Sequence, residues 1–171
     1  MPKKIFVFDL DGTLSDSSHR LHLITTPGKK KDWKTFFERL IDDPPFEAML
    51  SLVHSLNEQY DNTIVFQTGR PEKYRKLTGE WFKKNSSDIL FDVLLMRQNS
   101  DFCDNVTLKL RFLEWIMDTY DVGSNDQILW FEDSERVVKA LNAQQSVLCL
   151  SAQHFPGASI PSDHKEIPEK E

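Results

Sequence analysis

The sequence is short of cysteine, of long apolar runs and of positive charge, and each shortage excludes a class of protein. Cys103 and Cys149 are its only cysteines. They form no CxxC pair and no disulfide framework, so both read as reduced thiols of an intracellular protein. No apolar run approaches the ~20 residues of a membrane span. The apolar part of the N-terminal stretch is too brief for a signal peptide, so a cytoplasmic location is expected. Lys and Arg number 21 against 27 Asp and Glu, a net charge of −6. That balance lacks the footprint of a stable non-specific nucleic-acid binder, though it leaves room for a local basic groove. There is no GxxxxGK[ST] phosphate loop, which argues against a kinase of that type. No internal repeat is visible.

What is present is an ordinary globular composition, 39% hydrophobic and 28% charged over 171 residues. This suffices for one domain with a real core and a small insertion. Everything is organised around KKIFVFDLDGTLSD, Lys3 to Asp16. The run Ile5 to Phe8 predicts a buried strand. It delivers Asp9 and Asp11 to the strand's carboxyl end, the rim where ligands bind in open α/β sheets. One carboxylate there can act as a nucleophile and the other can move a proton. Two anions facing a phosphate need a cation, and hard oxygen ligands select Mg²⁺. The plain alternative is a strand-end turn, since D-G is a common turn dipeptide. The partners downstream weigh against it.

After Leu14, residues 15–45 predict a small helical cap. Ser17 or Ser18 starts one helix, and Asp32 caps a second that carries Trp33, Phe36, Phe37 and Leu40 on one face. Asp42-Asp43-Pro44-Pro45 stops it. Arg20 is a candidate phosphate or substrate ligand, because Arg suits bidentate oxyanion recognition. Lys29, Lys30 and Lys31 read as a solvated loop in preference to substrate contacts, and His19 and His22 as packing or surface residues. A helix from Phe46 to about Gln59 then precedes a second buried strand, Thr63 to Gln67. This delivers Thr68, Gly69 and Arg70 to the same rim through a right-handed crossover. Pro71 is expected to open the next helix, with its N-terminus favouring anions. Arg70 is expected to point into the cleft.

A third strand follows at Val93 to Met96, and Asn105 is expected to cap a long helix. Lys109 in its first turn gains nothing from the helix dipole. Such a mismatch is expected at a functional site, where the lysine would reach the carboxylates. The fourth strand, Gln127 to Phe131, ends in Glu132-Asp133. Two adjacent acids at a sheet rim call for a cation; the alternative is a helix N-terminus that favours acids. Ser134 is expected to cap a helix to Asn142, and Ser146 to Leu150 is a fifth strand. The acid-rich, proline-interrupted tail, residues 158–171, is expected to be mobile.

DLDGT, TGR, a helix-borne lysine and the acidic pair, in that order, resemble the haloacid-dehalogenase-like phosphohydrolases. DGTLSDSSHRLHLI, KDWKTFFERLIDD, TGRPEKYRKLTGEWF and EDSERVV resemble the phosphatase domain of phage-type polynucleotide kinase/phosphatases and its stand-alone relatives. The resemblance implies a Rossmann-like three-layer α/β sandwich over residues 1–157, with a parallel sheet of about five strands and the cap after strand one. It also implies a Mg²⁺-dependent phosphomonoesterase. By position, Asp9 would be the nucleophile and Asp11 the general acid/base. Thr68 would bind phosphate, with Gly69, Arg70 and Arg20 around the substrate, and Lys109 would stabilise the phosphoaspartate. Asp9, Asp11 through its carbonyl, Glu132 and Asp133 would hold the metal. Glu132 departs from the Asp-Asp pair usual in that family. The implied partner is a phosphorylated substrate, a nucleic-acid 3′-phosphate end or a nucleotide. A phosphatase of another small metabolite, or a non-catalytic binding domain of the same fold, are the alternatives.

Overall fold

Strand β1 (Lys4–Asp9) sorts its side chains by parity, as a pleated strand must. Ile5 and Val7 enter one hydrophobic cluster and Phe6 and Phe8 another, all buried. A strand buried on both faces belongs at the centre of a sheet covered by helices on each side. In the computed structural model, which describes residues 2–86, 89 and 91–152, that is its place. With β2 (Asn62–Pro71), β3 (Val93–Arg97), β4 (Gln127–Glu132) and β5 (Val147–Ser151) it forms a parallel sheet of order β3-β2-β1-β4-β5. The chain winds outward from β1 to β3 and then returns to β4 on the other side. The switch point therefore lies between β1 and β4, where a crevice opens at the strands' carboxyl ends.

Six helices complete the described chain: α1 (Ser18–Thr25), α2 (Trp33–Glu38), α3 (Glu47–Asn57), α4 (Arg75–Asn85), α5 (Asn105–Thr119) and α6 (Glu135–Asn142). Helices α3 and α4 bring Met49, Leu50, Val53, Trp81 and Phe82 against Phe6 and Phe8. On the opposite face α5 and α6 bring Leu113, Ile116, Val137 and Leu141 against Ile5, Val7, Ile128 and Trp130. Phe8 also stacks on Phe131 of the neighbouring strand, centroids 4.6 Å apart. Burying each such side chain contributes about 1.5–3 kcal/mol.

The cap comprises α1, α2 and a 3₁₀ turn over Arg39–Asp42. Asp32 caps α2 by accepting from the Thr35 amide at 3.0 Å. Phe36 and Leu40 anchor it in the core, and Trp33 and Phe37 stay half-buried.

Three expectations at helix starts are corrected. Asp104, not Asn105, caps α5: its Oδ1 accepts from the amides of Val106 at 2.9 Å and Thr107 at 3.2 Å. Asn105 is thereby released, and its side chain accepts from Arg97 at 3.1 Å. Pro71 closes β2 with ψ 145°, and α4 begins only at Arg75 after a 3₁₀ turn over Glu72–Tyr74. Proline's fixed φ suits an extended residue as well as a helical one. Ser134 occupies the position before α6 but makes no side-chain cap bond. The expected tail, 158–171, lies outside the described residues. No helix among them is long and apolar enough to cross a membrane.

Candidate active site

Strand parity also builds the site. Asp9 continues the face of Ile5 and Val7, Gln67 that of Val65, and Glu132 that of Ile128 and Trp130, all turned towards α5. Asp9 and Gln67 are register partners across β1 and β2. Because α5 begins at Asn105, Lys109 lies on its second turn and not on the first as expected, and it reaches down to these three. Its Nζ lies 2.6 Å from Asp9 Oδ1 and 3.2 Å from Glu132 Oε2, and it donates to Gln67 Oε1. Gln67 Nε2 faces Glu132 Oε2 at 3.5 Å. Lys109 is 2% exposed, so the ammonium is out of bulk water and held by its anions.

Asp9, Glu132 and Asp133 are all buried and present carboxylate oxygens within 4.8 Å of one another. When ionised, three carboxylates face one ammonium, an excess of two negative charges in a dry site. This oxygen-donor set and charge fit a hard divalent cation such as Mg²⁺. Gly12 makes the geometry possible. Its φ is +87°, and a Cβ there would stand 2.2 Å from Asp133 Oδ2. The loop Leu10–Ser15 closes tightly, with the amides of Thr13, Leu14 and Ser15 all on the Leu10 carbonyl.

Asp11 leaves the strand on the other side and meets the cap. Arg70 grips it with two bonds, Nε to Oδ2 at 3.0 Å and an Nη to Oδ1 at 2.7 Å, and Arg20 donates to Oδ1 as well. Both guanidiniums also bond Asp43, at 2.6 and 3.3 Å, and both are 0% exposed. Burial works against the charge of Arg20, but Asp11 and Asp43 outweigh it and hold its pKa above the ordinary value. Arg20 and Arg70, expected on the substrate, are thus found on Asp11 and Asp43. His19, an exposed residue, joins the group with Nε2 2.8 Å from Asp43 Oδ1.

A cavity of about 30 Å³ opens above Asp9, Asp11, Lys109 and Glu132, beside Gly69 and Asn105, beneath Trp33, Phe36 and Phe37 of the cap. Thr68 is fully buried at the end of β2, and its Oγ1 accepts from the Arg70 amide at 3.2 Å. Behind the site, burial and the neighbouring Glu132 push the Cys149 thiol well up, so it stays protonated.

The structure therefore brings Asp9, Lys109, Glu132 and Asp133 into one cluster and Asp11, Arg20 and Arg70 into a second beside it. Sequence reading missed Gln67 and Asp43. The only signal for Gln67 was a polar residue at the end of an otherwise apolar strand. Asp43 was hidden in a helix-stopping DDPP.

Residues 3–154 match the family model for the polynucleotide kinase PNKP phosphatase domain. No curated protein sequence matches the chain. Among solved structures, a chain of a Pnkp1/Rnl/Hen1 RNA repair complex is 18% identical with TM-score 0.63, over 88% of this chain and 42% of that one. The chain thus spans less than half of that relative. A D,D-heptose 1,7-bisphosphate phosphatase from B. bronchiseptica, complexed with magnesium and phosphate, is 14% identical with TM-score 0.60, covering 94% and 92%. A class C acid phosphatase from Bacillus anthracis with tungstate bound is 12% identical with TM-score 0.56, covering 91% and 69%. At these identities the likeness establishes the shared fold. With the family match over nearly its whole length, the chain belongs to the PNKP phosphatase-domain family of haloacid-dehalogenase-like hydrolases and is a hydrolase of phosphoric monoesters.

Proposed function

We propose that the chain hydrolyses a phosphomonoester through an aspartyl-phosphate on Asp9, on a nucleotide or a nucleic-acid 3′-phosphate end. The observation that carries this is the buried cluster of Asp9, Lys109, Glu132 and Asp133 at the switch point of the sheet. Asp9 attacks phosphorus in line, its Oδ–P bond forming as the bond from phosphorus to the leaving oxygen breaks. Asp11 enters protonated, supplies the proton that oxygen takes, and is left as the carboxylate that Arg20 and Arg70 hold. Water then attacks the phosphoryl group, Asp11 takes its proton, and the Asp9–P bond breaks to release phosphate.

Lys109 holds Asp9 in the attacking position and meets the charge of the phosphoryl oxygens, the main electrostatic task in such transfers. Gly69 and Thr68 at the end of β2 supply backbone and hydroxyl donors. Thr68 accepts from the Arg70 amide and keeps its own O–H to give. Arg20 and Arg70 act as positioning residues, holding Asp11 against the reacting centre. Asp9, the Asp11 carbonyl, Glu132 and Asp133 would hold Mg²⁺, which when bound neutralises the charge shared by phosphate and carboxylates.

The family match supports a nucleic-acid end or nucleotide. The net charge of −6 favours instead a small phosphorylated metabolite, because it gives little attraction to a polyanion. Phosphate release by wild type and Asp9→Asn decides the chemistry, measured with Mg²⁺ and with EDTA. The substrates would be an aryl phosphate, nucleoside 3′- and 5′-monophosphates, a 3′-phosphorylated oligonucleotide and sugar phosphates. Metal-dependent release lost in Asp9→Asn is expected; full activity in that variant would remove Asp9 as nucleophile.

A further inference from the structure

Five charged or amide side chains line the small cavity over the strand ends: Asp9, Asp11, Asn105, Lys109 and Glu132. The reaction above employs all of them except Asn105. This residue opens α5, and Lys109 follows it by four positions, so both lie on one face of the helix. Lys109 reaches down to Asp9, while Asn105 stands about 6 Å nearer the helix start. Asp104 performs the capping, so the Asn105 side chain is not spent on its own helix.

The carboxamide is oriented from behind. Arg97 is 2% exposed and donates to the carbonyls of Gly69 at 3.3 Å and Cys103 at 2.8 Å, and to Asn105 Oδ1 at 3.1 Å. A guanidinium only donates, so the atom against it is the carboxamide oxygen, and the NH₂ group is turned to the other side. That Nδ2 gives a hydrogen bond to nothing among the described residues. The positive charge on Oδ1 also polarises the amide and makes its N–H groups stronger donors. Gly69 keeps the approach open, since a Cβ there would stand 3.2 Å from Asn105 Oδ1.

We infer that Asn105 is a further catalytic residue whose Nδ2 donates to a phosphoryl oxygen of the substrate, an inference that rests on the phosphatase reading of the same cavity. The residue type follows from the charge of the site. Asp9, Glu132 and Asp133 already set three carboxylates against one ammonium. Another carboxylate at position 105 would pair with Arg97 but would face the incoming phosphate. A lysine there would abut the buried guanidinium. A neutral carboxamide serves both sides, accepting from Arg97 and donating to phosphate. Because it touches the phosphoryl group and not the leaving group, its contribution is the same for every substrate.

The test compares wild type, Asn105→Ala and Asn105→Asp on an aryl phosphate and a nucleoside 3′-monophosphate, with inorganic phosphate as inhibitor. Asn105→Ala should lower kcat/KM by about 10- to 150-fold, the size of one hydrogen bond to a charged group. The factor should be equal on the two substrates, and Ki for phosphate should rise. Asn105→Asp keeps an acceptor for Arg97 and so preserves any purely structural role, but it has no N–H to give. It should fold like wild type in urea and lose at least as much activity as Asn105→Ala. Wild-type activity in Asn105→Asp would assign Asn105 to Arg97 alone and overturn the inference. Activity kept in Asn105→Ala and lost only in Asn105→Asp would overturn it too, as repulsion without a lost donor. A loss confined to one substrate would place the contact on the leaving group and also overturn it. Calorimetric binding of inorganic phosphate needs no turnover, and it should weaken in both variants. Phosphate binding that depends on Asn105, with no release from any substrate by wild type, would sink the phosphatase reading and keep the contact. Release by wild type that both variants match does the reverse.

Discussion

Gly12 and Gln67 set the site without doing chemistry, one by being small and the other by being polar. A methyl at position 12 would lie 2.2 Å from Asp133 Oδ2, on a backbone at φ +87° that side chains avoid. Gly12→Ala is therefore expected to push Asp133 aside. The Mg²⁺ concentration for half-maximal activity should rise about tenfold or more, checked by titrating activity with the metal. Gln67 accepts from Lys109 and faces Glu132, tying the ammonium to the acidic pair. Gln67→Leu keeps the volume and removes both contacts. Loss of such an outer partner costs about 10–100-fold in metal affinity or activity. The loss should fall on kcat and on Mg²⁺ dependence, with substrate KM little changed; a rise in KM alone would assign Gln67 to substrate binding.

The cap and the sheet meet through charges that no single element carries. Arg20 comes from α1, Arg70 from the end of β2, Asp11 from the loop after β1, and Asp43 from the turn that ends the cap. Trp81 of α4 secures the turn by donating Nε1 to the Asp43 carbonyl at 2.8 Å. Removing Asp43 leaves two buried guanidiniums short of an anion, a loss of about 3–5 kcal/mol. Asp43→Ala should show it in urea unfolding and should also slow turnover, since Asp11 loses its fixed partners. At the α5 terminus, hydrogen bonds from Thr107, side chain then backbone, depress the Asp104 pKa. A depressed carboxyl stabilises the fold above its unfolded pKa and loses that contribution as pH falls through the folded value. Asp104→Ala should cost about 1 kcal/mol at pH 7, and the gap to wild type should close below about pH 4. The elements themselves were legible because period-2 and period-3.6 patterns are local: Ile5 to Phe8 and Trp33 to Leu40 announce their own burial. The cluster of acids at strand ends was legible for the same reason. The partners of Arg20, Arg70 and Gln67 were not, because they depend on how the cap and α5 settle on the strand ends. Asp104 displaced Asn105 as cap because two equally plausible capping residues stood side by side.

At the scale of the whole molecule, one acidic cluster sits between the two halves of the sheet, and its charge bears on global stability. Asp9 and Glu132 end the adjacent strands β1 and β4 and Asp133 follows, so their like charges meet at the switch point of the sheet. A divalent cation bound there binds only the folded chain, because the ligands come from positions more than a hundred residues apart. Its stabilisation follows mass action, about 2.7 kcal/mol at a hundred times Kd. For a domain of this size each kcal/mol moves Tm by about 2–4 °C. Saturating Mg²⁺ should then raise Tm by roughly 5–10 °C. In Glu132→Gln the repulsion is relieved and a ligand charge is lost, so the metal-free Tm should rise while most of the Mg²⁺ shift disappears. A Tm indifferent to Mg²⁺ in wild type would mean that no divalent cation binds this cluster, and the metal would have to be sought away from Asp9.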